Sequence, residues 1–428
     1  MTTPKSISSI HEKIRARFPQ LERDQFGNKR VYLNSGAGSL MVDSAMSASF
    51  EAARSLNPMP GAVTPGEKST AELHSRVRGI IADFLNAAGA EEISFHLSAT
   101  NALFNLAVAM RVWFPEHGNL VVTDLDHMAN ISPWEDVWGR GGGCEVRRAR
   151  VTPEGTLDID NLLSLVDRET GIVAVTMASN AFGSIVPLKK LIGLIRRRSP
   201  ALVCVDAVHH ALHGPIDVRG MDVDALVFSG YKIFGPMLGV LYGKKALLDK
   251  LEPYRVETNK NETPFKYEQG MLNNFNLAGL EAALDYLLWL EAELFGTSSG
   301  AGARHPRFQR VMEAIEDYER GLSRVVLEGF RRFDPNRFRC YGLTDPSRCE
   351  ERDPTFAFEV DGLAPADVKR RLWEESAVQI ADGNHYSAAV FRHLGRPALC
   401  RASFAHYDDA ATARTFLEAL GRLIEGKS

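Results

Sequence analysis

Short apolar segments alternate with helix-length segments over residues 93–243, and this pattern constrains the fold more than any other feature of the chain. The six apolar segments are residues 93–98, 119–124, 171–177, 201–206, 225–230 and 239–243. Short strands that are apolar on both faces and alternate with helices form mainly parallel sheets covered by helices on both sides. The sequence therefore predicts an α/β fold with a large domain built on a mainly parallel sheet.

The order of elements changes after residue 243. Two long helical segments, 276–295 and 306–333, are separated by a Gly/Ser-rich loop or hinge. Strand-like segments then follow at 338–343, 355–360, 377–381 and 398–404, and a helix at 412–426 ends the sequence. This part predicts a smaller α+β domain. We divide the chain into an N-terminal segment 1–30 that packs on the small domain, a large domain 31–295 and a small domain 296–428.

The region before the first apolar strand predicts three helices. Residues 7–24 form a short amphipathic segment, residues 42–56 a second helix, and residues 69–87 a third with Ser69 as its cap. Pro- and Gly-rich residues 57–66 form a loop between the last two. The triplet Gly141–Gly143 is a connector rather than a dinucleotide fingerprint, because a polar strand and not a helix follows it.

Charge and cysteine content exclude several classes of protein. Fifty basic and 54 acidic side chains give a formal net charge of −4, which favours neither nucleic acid nor a membrane surface as a partner. No run of 18 apolar residues and no apolar leader occurs. The five widely spaced cysteines favour neither a disulfide framework nor a zinc site. We expect a cytoplasmic protein.

Lys232 is the first candidate for chemistry. It follows the apolar segment 225–228 and Ser229-Gly230, and it precedes the turn pair Gly235-Pro236. An unpaired buried ammonium is costly, whereas an amine with a lowered pKa is what imine-forming catalysis requires. A lysine in this place can also extend its amine to solvent. Its partners must therefore decide between the two interpretations.

Asp206 is the partner that favours chemistry. It ends the apolar segment that precedes the Lys232 strand, and it either caps the next helix or serves a ligand. Pyridoxal 5′-phosphate needs both an anion at its pyridinium nitrogen and a lysine amine at its aldehyde carbon. The two residues together therefore predict this cofactor.

Other polar residues also follow predicted strands, where α/β folds place their chemistry. Ser98, Ala99 and Thr100 stand at a helix start, where they either bind a phosphate or simply cap the helix. His127 stacks on a flat ring, assists proton transfer or is merely solvated, and Asn180 donates to a phenolate oxygen or forms a turn.

Two further stretches also leave alternatives open. The turn at Gly36-Ala37 lets the backbone approach a ligand, or is an ordinary tight loop. His209 and His213 have the i, i+4 spacing of a metal site, but no nearby carboxylate completes it, so we expect no metal.

With these motifs in order, the chain resembles a fold-type I pyridoxal-phosphate enzyme of the class V aminotransferase group. It is most similar to the cysteine desulfurases, the selenocysteine lyases and their relatives, over about residues 30–420. The resemblance implies a sheet of the seven-stranded type. It also implies a homodimer with shared active sites, in which residues 267–276 complete the phosphate site of the neighbouring subunit. Asn274 stands there where desulfurases usually carry threonine.

The resemblance also implies a role for each site residue. Lys232 binds the cofactor covalently and acts as the acid–base catalyst, Asp206 holds the pyridinium nitrogen, and His127 stacks on the ring. Arg401 binds the substrate α-carboxylate, as a guanidinium–carboxylate pair suits. The remaining cofactor contacts are Asn180 and His209 near the phenolic oxygen, and Thr100, Ser229 and Tyr231 at the phosphate, with Tyr231 replacing a common histidine.

One departure from the family bears directly on function. Desulfurases carry a nucleophilic cysteine on a loop shortly before the arginine strand, but this loop has Tyr386 at that position and Ala381 in place of a nearby arginine. Cys400 precedes Arg401 within a strand-like segment, where buried packing is the expected role. The sequence therefore disfavours a persulfide relay.

We accordingly predict a carbon–sulfur β-lyase that cleaves an S-substituted L-cysteine to a thiol, pyruvate and ammonia, with Gly36, Ala37, Asn180, Tyr386 and Arg401 at the substrate. The alternatives are a decarboxylating oxidative deaminase of such a substrate, and a desulfurase using Cys400, an aminotransferase or an epimerase. A non-enzymatic cofactor-binding protein is the last alternative. The sequence does not report which Cα bond lies perpendicular to the ring, and that geometry decides the reaction.

Overall fold

The computed structural model describes residues 5–56, 59–113, 118–141, 143–298 and 302–426. Within these ranges it has thirteen β-strands and fourteen α-helices. The strands are β1 Val31–Tyr32, β2 Ile93–His96, β3 Asn119–Thr123, β4 Glu145–Ala149, β5 Thr170–Thr176, β6 Leu202–Asp206, β7 Ala225–Ser229, β8 Gly239–Gly243, β9 Phe338–Tyr341, β10 Thr355–Val360, β11 Val378–Gln379, β12 Ala381–Gly383 and β13 Leu399–Ser403.

The helices connect and cover these strands. They are α1 His11–Arg15, α2 Asp43–Ser55, α3 Pro65–Leu85, α4 Ala99–Trp113, α5 Ser132–Trp134, α6 Ile159–Leu165, α7 Leu188–Arg196, α8 Val218–Met221, α9 Lys245–Lys250, α10 Asn274–Phe295, α11 Arg304–Phe330, α12 Pro365–Ser376, α13 Ala388–Leu394 and α14 Ala410–Glu425. None of these described helices is both long enough and apolar enough to cross a membrane.

The large sheet has seven strands in the order β2-β8-β7-β6-β5-β3-β4. Only β8 runs antiparallel to its neighbours, and the other pairs are parallel. The predicted α/β class and mainly parallel sheet are therefore confirmed. Because parallel strands end at the same edge of a sheet, β3, β5, β6 and β7 bring the residues that follow them together there.

Alternate residues of the central strands pack into two different cores. In β6, Val203 and Val205 belong to the core that includes α3 and α10, whereas Cys204 belongs to the core under α4. Successive side chains of a strand point to opposite faces, so a strand that is apolar throughout must be covered on both sides. This burial is the physical origin of the apolar segments in the sequence.

A second sheet in the C-terminal part has four antiparallel strands in the order β12-β13-β10-β9. It packs with α12 and α14 around a core of its own. The smaller α+β unit predicted for this part of the chain is therefore present. A short parallel pair, β1 with β11, connects the start of the chain to this unit.

The N-terminal segment lies between the two units. Arg15 donates to the carbonyl of Tyr407 at 3.1 Å, and Lys13 pairs with Glu293 of α10 at 2.8 Å. It therefore contacts both parts of the chain, and the proposed domain boundaries stay a prediction.

Two local predictions were wrong. The helix expected over residues 7–24 is instead a 3-10 turn at Ile7–Ile10 followed by α1, which ends at Arg15. Pro19 disfavours helical backbone at Phe18, so the helix does not continue to residue 24. The third helix begins at Pro65 rather than after Ser69, because Thr64 and Glu67 form a capping box around the N-terminus of α3. Residues 57–58 of the predicted loop, Gly142 of the glycine triplet and 299–301 of the predicted hinge lie outside the described residues.

Candidate active site

A cavity of about 970 Å³ lies at the carboxyl edge of the large sheet. Its wall on the other side is formed by β12, β13 and the loop 384–386 of the small unit. Fourteen of the fifteen predicted site residues line it: Gly36, Ala37, Ser98, Ala99, Thr100, His127, Asn180, Asp206, His209, Ser229, Tyr231, Lys232, Tyr386 and Arg401. The fold thus brings together residues that are up to 365 positions apart in sequence, from Gly36 to Arg401.

Lys232 lies on a short 3-10 turn directly after β7 and is 4% exposed. Its Nζ donates a hydrogen bond to the carbonyl oxygen of Gly36. Burial, with a further contribution from the nearby Arg401 cation, lowers the pKa of Lys232 to about 7. The amine is therefore available in its neutral, nucleophilic form near neutral pH.

Asp206 ends β6 next to the Lys232 strand and is 4% exposed. Its Oδ1 accepts the backbone N–H of Val208 at 2.9 Å, and within the described ranges no hydrogen bond reaches its other carboxylate oxygen. Burial raises the pKa of Asp206 to about 6. A buried carboxylate with one open oxygen favours a ligand that brings a charged or polar N–H, because the desolvated anion lacks a partner.

The N-terminus of α4 forms the opposite end of the cavity. Ser98 accepts the N–H of Asn101 at 3.1 Å through its hydroxyl, so the N–H groups of Ala99 and Thr100 remain directed out of the helix. Gly239 of β8 crosses directly behind this turn, where a Cβ would lie 2.7 Å from the Ala99 nitrogen. Only glycine therefore permits this approach, which places at the cavity the start of a helix, where an anion would be stabilised.

His127 follows β3 and is half-buried in the cavity wall. Its Nδ1 accepts the N–H of Ala129 at 3.0 Å, which leaves the ring proton on Nε2. Burial, with the cations Lys232 and Arg401 nearby, lowers the pKa of His127 to about 4, so the ring is neutral. Tyr386 stacks against it with ring centroids 5.5 Å apart and planes at 29°.

Arg401 is the buried cation of the small unit, at 3% exposure. One Nη donates to the carbonyl of Asn180 at 2.8 Å, and within the described residues the buried Nε has no hydrogen-bond partner. A Cβ at Gly36 would lie 3.1 Å from the guanidinium carbon, so the glycine lets the 34–38 turn approach it. Burial lowers the pKa of Arg401 to about 10, and the group stays charged. The free N–H groups can bind a carboxylate.

Asn180 joins the two units at the cavity. Its Nδ2 donates to the carbonyl of His385 at 2.8 Å, and its Oδ1 accepts the Ser387 hydroxyl at 2.7 Å. The side chain therefore holds the loop that carries Tyr386, in addition to any contact with a ligand. Sequence analysis missed this contact, because nothing local in the sequence relates positions 180 and 385.

No cysteine lines the cavity, although all five lie within the described residues. Cys400 is fully buried, and its Sγ contacts the carbonyl of Pro365 at 3.5 Å on the side of β13 opposite to Arg401. Burial raises the pKa of the Cys400 thiol. Tyr386 instead stands on the cavity loop with φ of 58° and 74% of its surface exposed.

Asn274 is the one predicted residue that does not line this cavity. It begins α10, is buried, and its Oδ1 lies 2.7 Å from His74 Nε2. Its proposed contact with the cofactor of a neighbouring subunit stays a prediction.

The structure also adds residues that sequence analysis missed. His385 lines the cavity beside Tyr386. Asp126, under the His127 loop, accepts hydrogen bonds from Thr123 and from Asn130, the latter at 2.7 Å. The sequence did carry a signal for Asp126, because aspartate is typical of turns, where its side chain hydrogen-bonds nearby groups.

The residues present fit pyridoxal phosphate. The open oxygen of Asp206 suits a protonated ring nitrogen, Lys232 is a buried amine with a lowered pKa, and the start of α4 suits a phosphate. These three features lie around one cavity.

Comparisons with known proteins agree with this description. The model of the aminotransferase class-V family matches residues 31–295 and 297–416. A cysteine desulfurase of Pectobacterium atrosepticum is 32% identical over 97% of this chain and 96% of its own length. A cysteine desulfurase of Klebsiella pneumoniae is 30% identical over 96% of this chain and 98% of its own length.

Solved structures show the same fold. The apo structure of a cysteine desulfurase from Thermococcus onnurineus has a TM-score of 0.83 at 25% identity and covers 97% of this chain and 98% of that one. A cysteine desulfurase from Escherichia coli, in an S-sulfonic acid form, has a TM-score of 0.80 at 24% identity over the same shares.

Proposed function

The chain belongs to the aminotransferase class-V family, and from that membership we propose that it is a pyridoxal-phosphate-dependent carbon–sulfur β-lyase. Its proposed substrate is an S-substituted L-cysteine, which it cleaves to a thiol, pyruvate and ammonia. The single observation that carries the proposal is a cavity with the lysine, aspartate and arginine of the family but without a cysteine.

Pyridoxal phosphate, when bound, supplies an aldehyde that reacts with amines and a ring that withdraws electrons from the substrate Cα. Thr100, Ser229 and Tyr231 would hold its phosphate, and Asp206 its ring nitrogen. His127 would lie against the ring, and Asn180 and His209 near its phenolic oxygen.

Lys232 supplies the acid–base chemistry. Its pKa of about 7 lets Nζ accept the Cα proton of the substrate near neutral pH. Cleavage of the Cβ–S bond places the electron pair on sulfur, and the proton carried by Nζ can then neutralise the departing thiolate. The three-carbon product takes up water and yields pyruvate and ammonium, so no oxidant is required.

Arg401 orients the substrate. Its guanidinium is held by the Asn180 carbonyl and retains free N–H groups for a carboxylate. Lys232 donates to the Gly36 carbonyl, and Gly36 also lies close to the Arg401 guanidinium. The same turn therefore fixes the distance between the group that binds the substrate carboxylate and the group that accepts the substrate Cα proton.

The lack of a cysteine at the cavity supports a lyase rather than a desulfurase. A persulfide relay needs a mobile thiolate at the substrate sulfur, whereas Cys400 is buried in a strand with its Sγ at Pro365 and with a raised pKa. β-Elimination needs no protein nucleophile at sulfur, so the residues present are sufficient for it.

The cavity wall beyond the catalytic residues supports a bulky S-substituent. Phe104, Met128, Ala129 and Val208 line it together with the exposed Tyr386. Apolar and aromatic walls favour an apolar group on the substrate sulfur, and the volume of about 970 Å³ suits a cofactor and a substrate together.

We propose that the protein acts as a homodimer. Leu97 and Met237 are 84% and 76% exposed, and Met237 adjoins the start of α10 through a hydrogen bond from Asn276 to its carbonyl at 2.8 Å. Exposed apolar residues such as these favour a protein interface, and we propose that Asn274 contacts the cofactor of the second copy across it.

The test uses the purified holoenzyme with a panel of S-alkyl and S-aryl L-cysteines and with L-cysteine itself. We expect equal amounts of thiol, pyruvate and ammonia from at least one S-substituted substrate, and a Lys232→Ala variant should release none. Tyr386→Ala should raise KM for S-aryl substrates by about two- to tenfold, which corresponds to roughly 0.5–1.5 kcal/mol for one aromatic contact.

Two results would overturn the proposal. Alanine and sulfane sulfur from L-cysteine, in the absence of pyruvate, would identify a desulfurase. Carbon dioxide without pyruvate from the S-substituted substrates would identify the decarboxylating reaction instead.

A further inference from the structure

Three buried side chains converge beneath the floor of the cavity: His209, His213 and Asp353. Their exposed fractions are 3%, 1% and 2%, and one potential ligand atom of each lies within 4.8 Å of the other two. The histidines follow β6 of the large unit, and Asp353 precedes β10 of the small one. No carboxylate is near this histidine pair in the sequence, but the fold brings Asp353 to it, which is 143 residues after the intervening His210.

Three of the four histidine ring nitrogens of this cluster lack a hydrogen-bond partner in the described part of the chain. Within the described ranges neither ring nitrogen of His209 has a hydrogen-bond partner, and neither does Nε2 of His213. Buried polar atoms are almost always satisfied, because an unsatisfied one loses its hydration without compensation. The unpartnered Nε2 atoms of His209 and His213, in adjacent rings with centroids 5.1 Å apart, indicate that a ligand belongs between the two rings.

The neighbours of the cluster orient it as metal ligands are usually oriented. His213 Nδ1 contacts Glu319 Oε2 at 2.7 Å, so its unpartnered Nε2 is the nitrogen left for coordination. His210 Nδ1 lies 3.1 Å from Asp353 Oδ1 and 3.2 Å from Asp353 Oδ2, and so holds that carboxylate in place. A carboxylate behind a coordinating histidine and a donor behind a coordinating aspartate are the common outer contacts of zinc sites.

The separations are close to those of a tetrahedral site. His209 Nε2 lies 4.0 Å from Asp353 Oδ2. Zinc bonds of about 2.0–2.1 Å place tetrahedral ligand atoms roughly 3.3 Å apart. Side-chain shifts of about 1 Å would therefore close the cluster around an ion, with a water molecule as the fourth ligand.

We propose that His209, His213 and Asp353 bind one divalent transition-metal ion, with Zn²⁺ as the ion that this N₂O ligand set favours. The ion has two consequences. It joins the segment after β6 to the small unit, and it holds the proton of His209 on Nδ1 by occupying Nε2. Because His209 also lines the cavity, the ion would set the tautomer of a residue proposed to contact the cofactor.

The first experiment measures zinc in the wild-type holoenzyme. The protein is stripped with a chelator, incubated with Zn²⁺, desalted and analysed for zinc and for thermal stability. We expect one zinc per chain after desalting and a Tm that rises with zinc concentration, since an ion that binds only the folded state stabilises it. Neither readout depends on the reaction, so failure of this proposal is distinct from failure of the β-lyase proposal.

Variants locate the ion. His213→Gln and Asp353→Asn each preserve approximate size and polarity but remove a ligand, and His393→Gln removes an exposed histidine from helix α13. We expect the first two variants to lose the zinc and its effect on Tm, and the His393 variant to keep both. Cobalt in the wild-type protein gives a second measurement that needs no variant, because tetrahedral Co²⁺ has a characteristic visible spectrum.

The proposal is overturned if folded wild-type protein retains no zinc and shows no tetrahedral cobalt spectrum. It is equally overturned if folded Asp353→Asn protein retains as much zinc as the wild type. In the first case the unpartnered nitrogens would be satisfied by buried water, and in the second the zinc would be bound without Asp353.

Discussion

Replacing Arg401 by lysine tests how the site recognises its substrate. One N–H of Arg401 donates to the Asn180 carbonyl, and its other donors, including Nε, which has no partner within the described residues, can bind a ligand in the cavity. Lysine keeps the positive charge but loses the planar pair of donors. One charge-assisted hydrogen bond contributes about 1.5–3 kcal/mol, so kcat/KM for the S-substituted cysteine should fall about 10- to 150-fold.

The assay compares two substrates in two proteins. The acid is an S-substituted L-cysteine, and the matched control is its carboxamide, which lacks the carboxylate that Arg401 binds. We expect Arg401→Lys to lower kcat/KM strongly for the acid and by less than about threefold for the amide, since only the acid uses the lost hydrogen bond. The visible absorbance of the bound cofactor should not change.

A second protein controls for the substitution itself. Arg396→Lys changes an arginine that binds Tyr341 and Glu359 near the surface, outside the cavity. It should leave both substrates unaffected. An equal loss on acid and amide in Arg401→Lys would refute carboxylate recognition, and would make Arg401 a residue that only holds Asn180 and the loop behind it.

Three further predictions follow from buried groups. Cys400→Ser should keep the lyase rate within about twofold in a pyruvate assay, because Sγ faces Pro365 and not the cavity; a loss of all turnover would contradict its structural role. In the cofactor-free protein, burial raises the pKa of Asp206 to about 6. The folded state therefore binds more protons than the unfolded state between about pH 4 and pH 6. The stability that protonated Asp206 contributes below pH 4 is lost as the pH rises through 6. Asp206→Asn should therefore gain up to about 3 kcal/mol on the wild type between pH 4 and pH 7, and a pH-independent difference in Tm would exclude this linkage. Arg78→Met should lower the free energy of unfolding by about 3–5 kcal/mol in urea, because it leaves the buried Glu268 without the two bonds of 2.6 and 2.7 Å that it accepts, and adding Glu268→Gln should restore part of the loss.

The fold was predictable because its signal is local. Each central strand is apolar on both faces, and the structure shows why: alternate residues of β6 enter different cores. Helix ends were less predictable, as Ser69 shows, because a cap depends on the competition between neighbouring polar residues. Thr64 is the cap because Pro65 suits the first helical position and Glu67 completes a capping box with Thr64.

The candidate site was predictable where strand ends carried it. Asp206 ends β6 and Lys232 follows β7, which proved to be neighbouring strands, and both residues line the cavity. The loop around Tyr386 was found only by resemblance, and its attachment to Asn180 was not found at all, since residues so far apart leave no local pattern.

The sequence by itself determined the parallel sheet, the strand-end position of its lysine and aspartate, and the lack of a cysteine beside Tyr386. These properties depend on periodicity and residue type, which can be read from each segment of the sequence separately. Only the tertiary structure decided that Gly36 approaches Lys232 and Arg401, that Cys400 points away from the cavity, and that Asp353 meets His209 and His213. Such meetings depend on how the two units pack, and packing is a property of the whole chain.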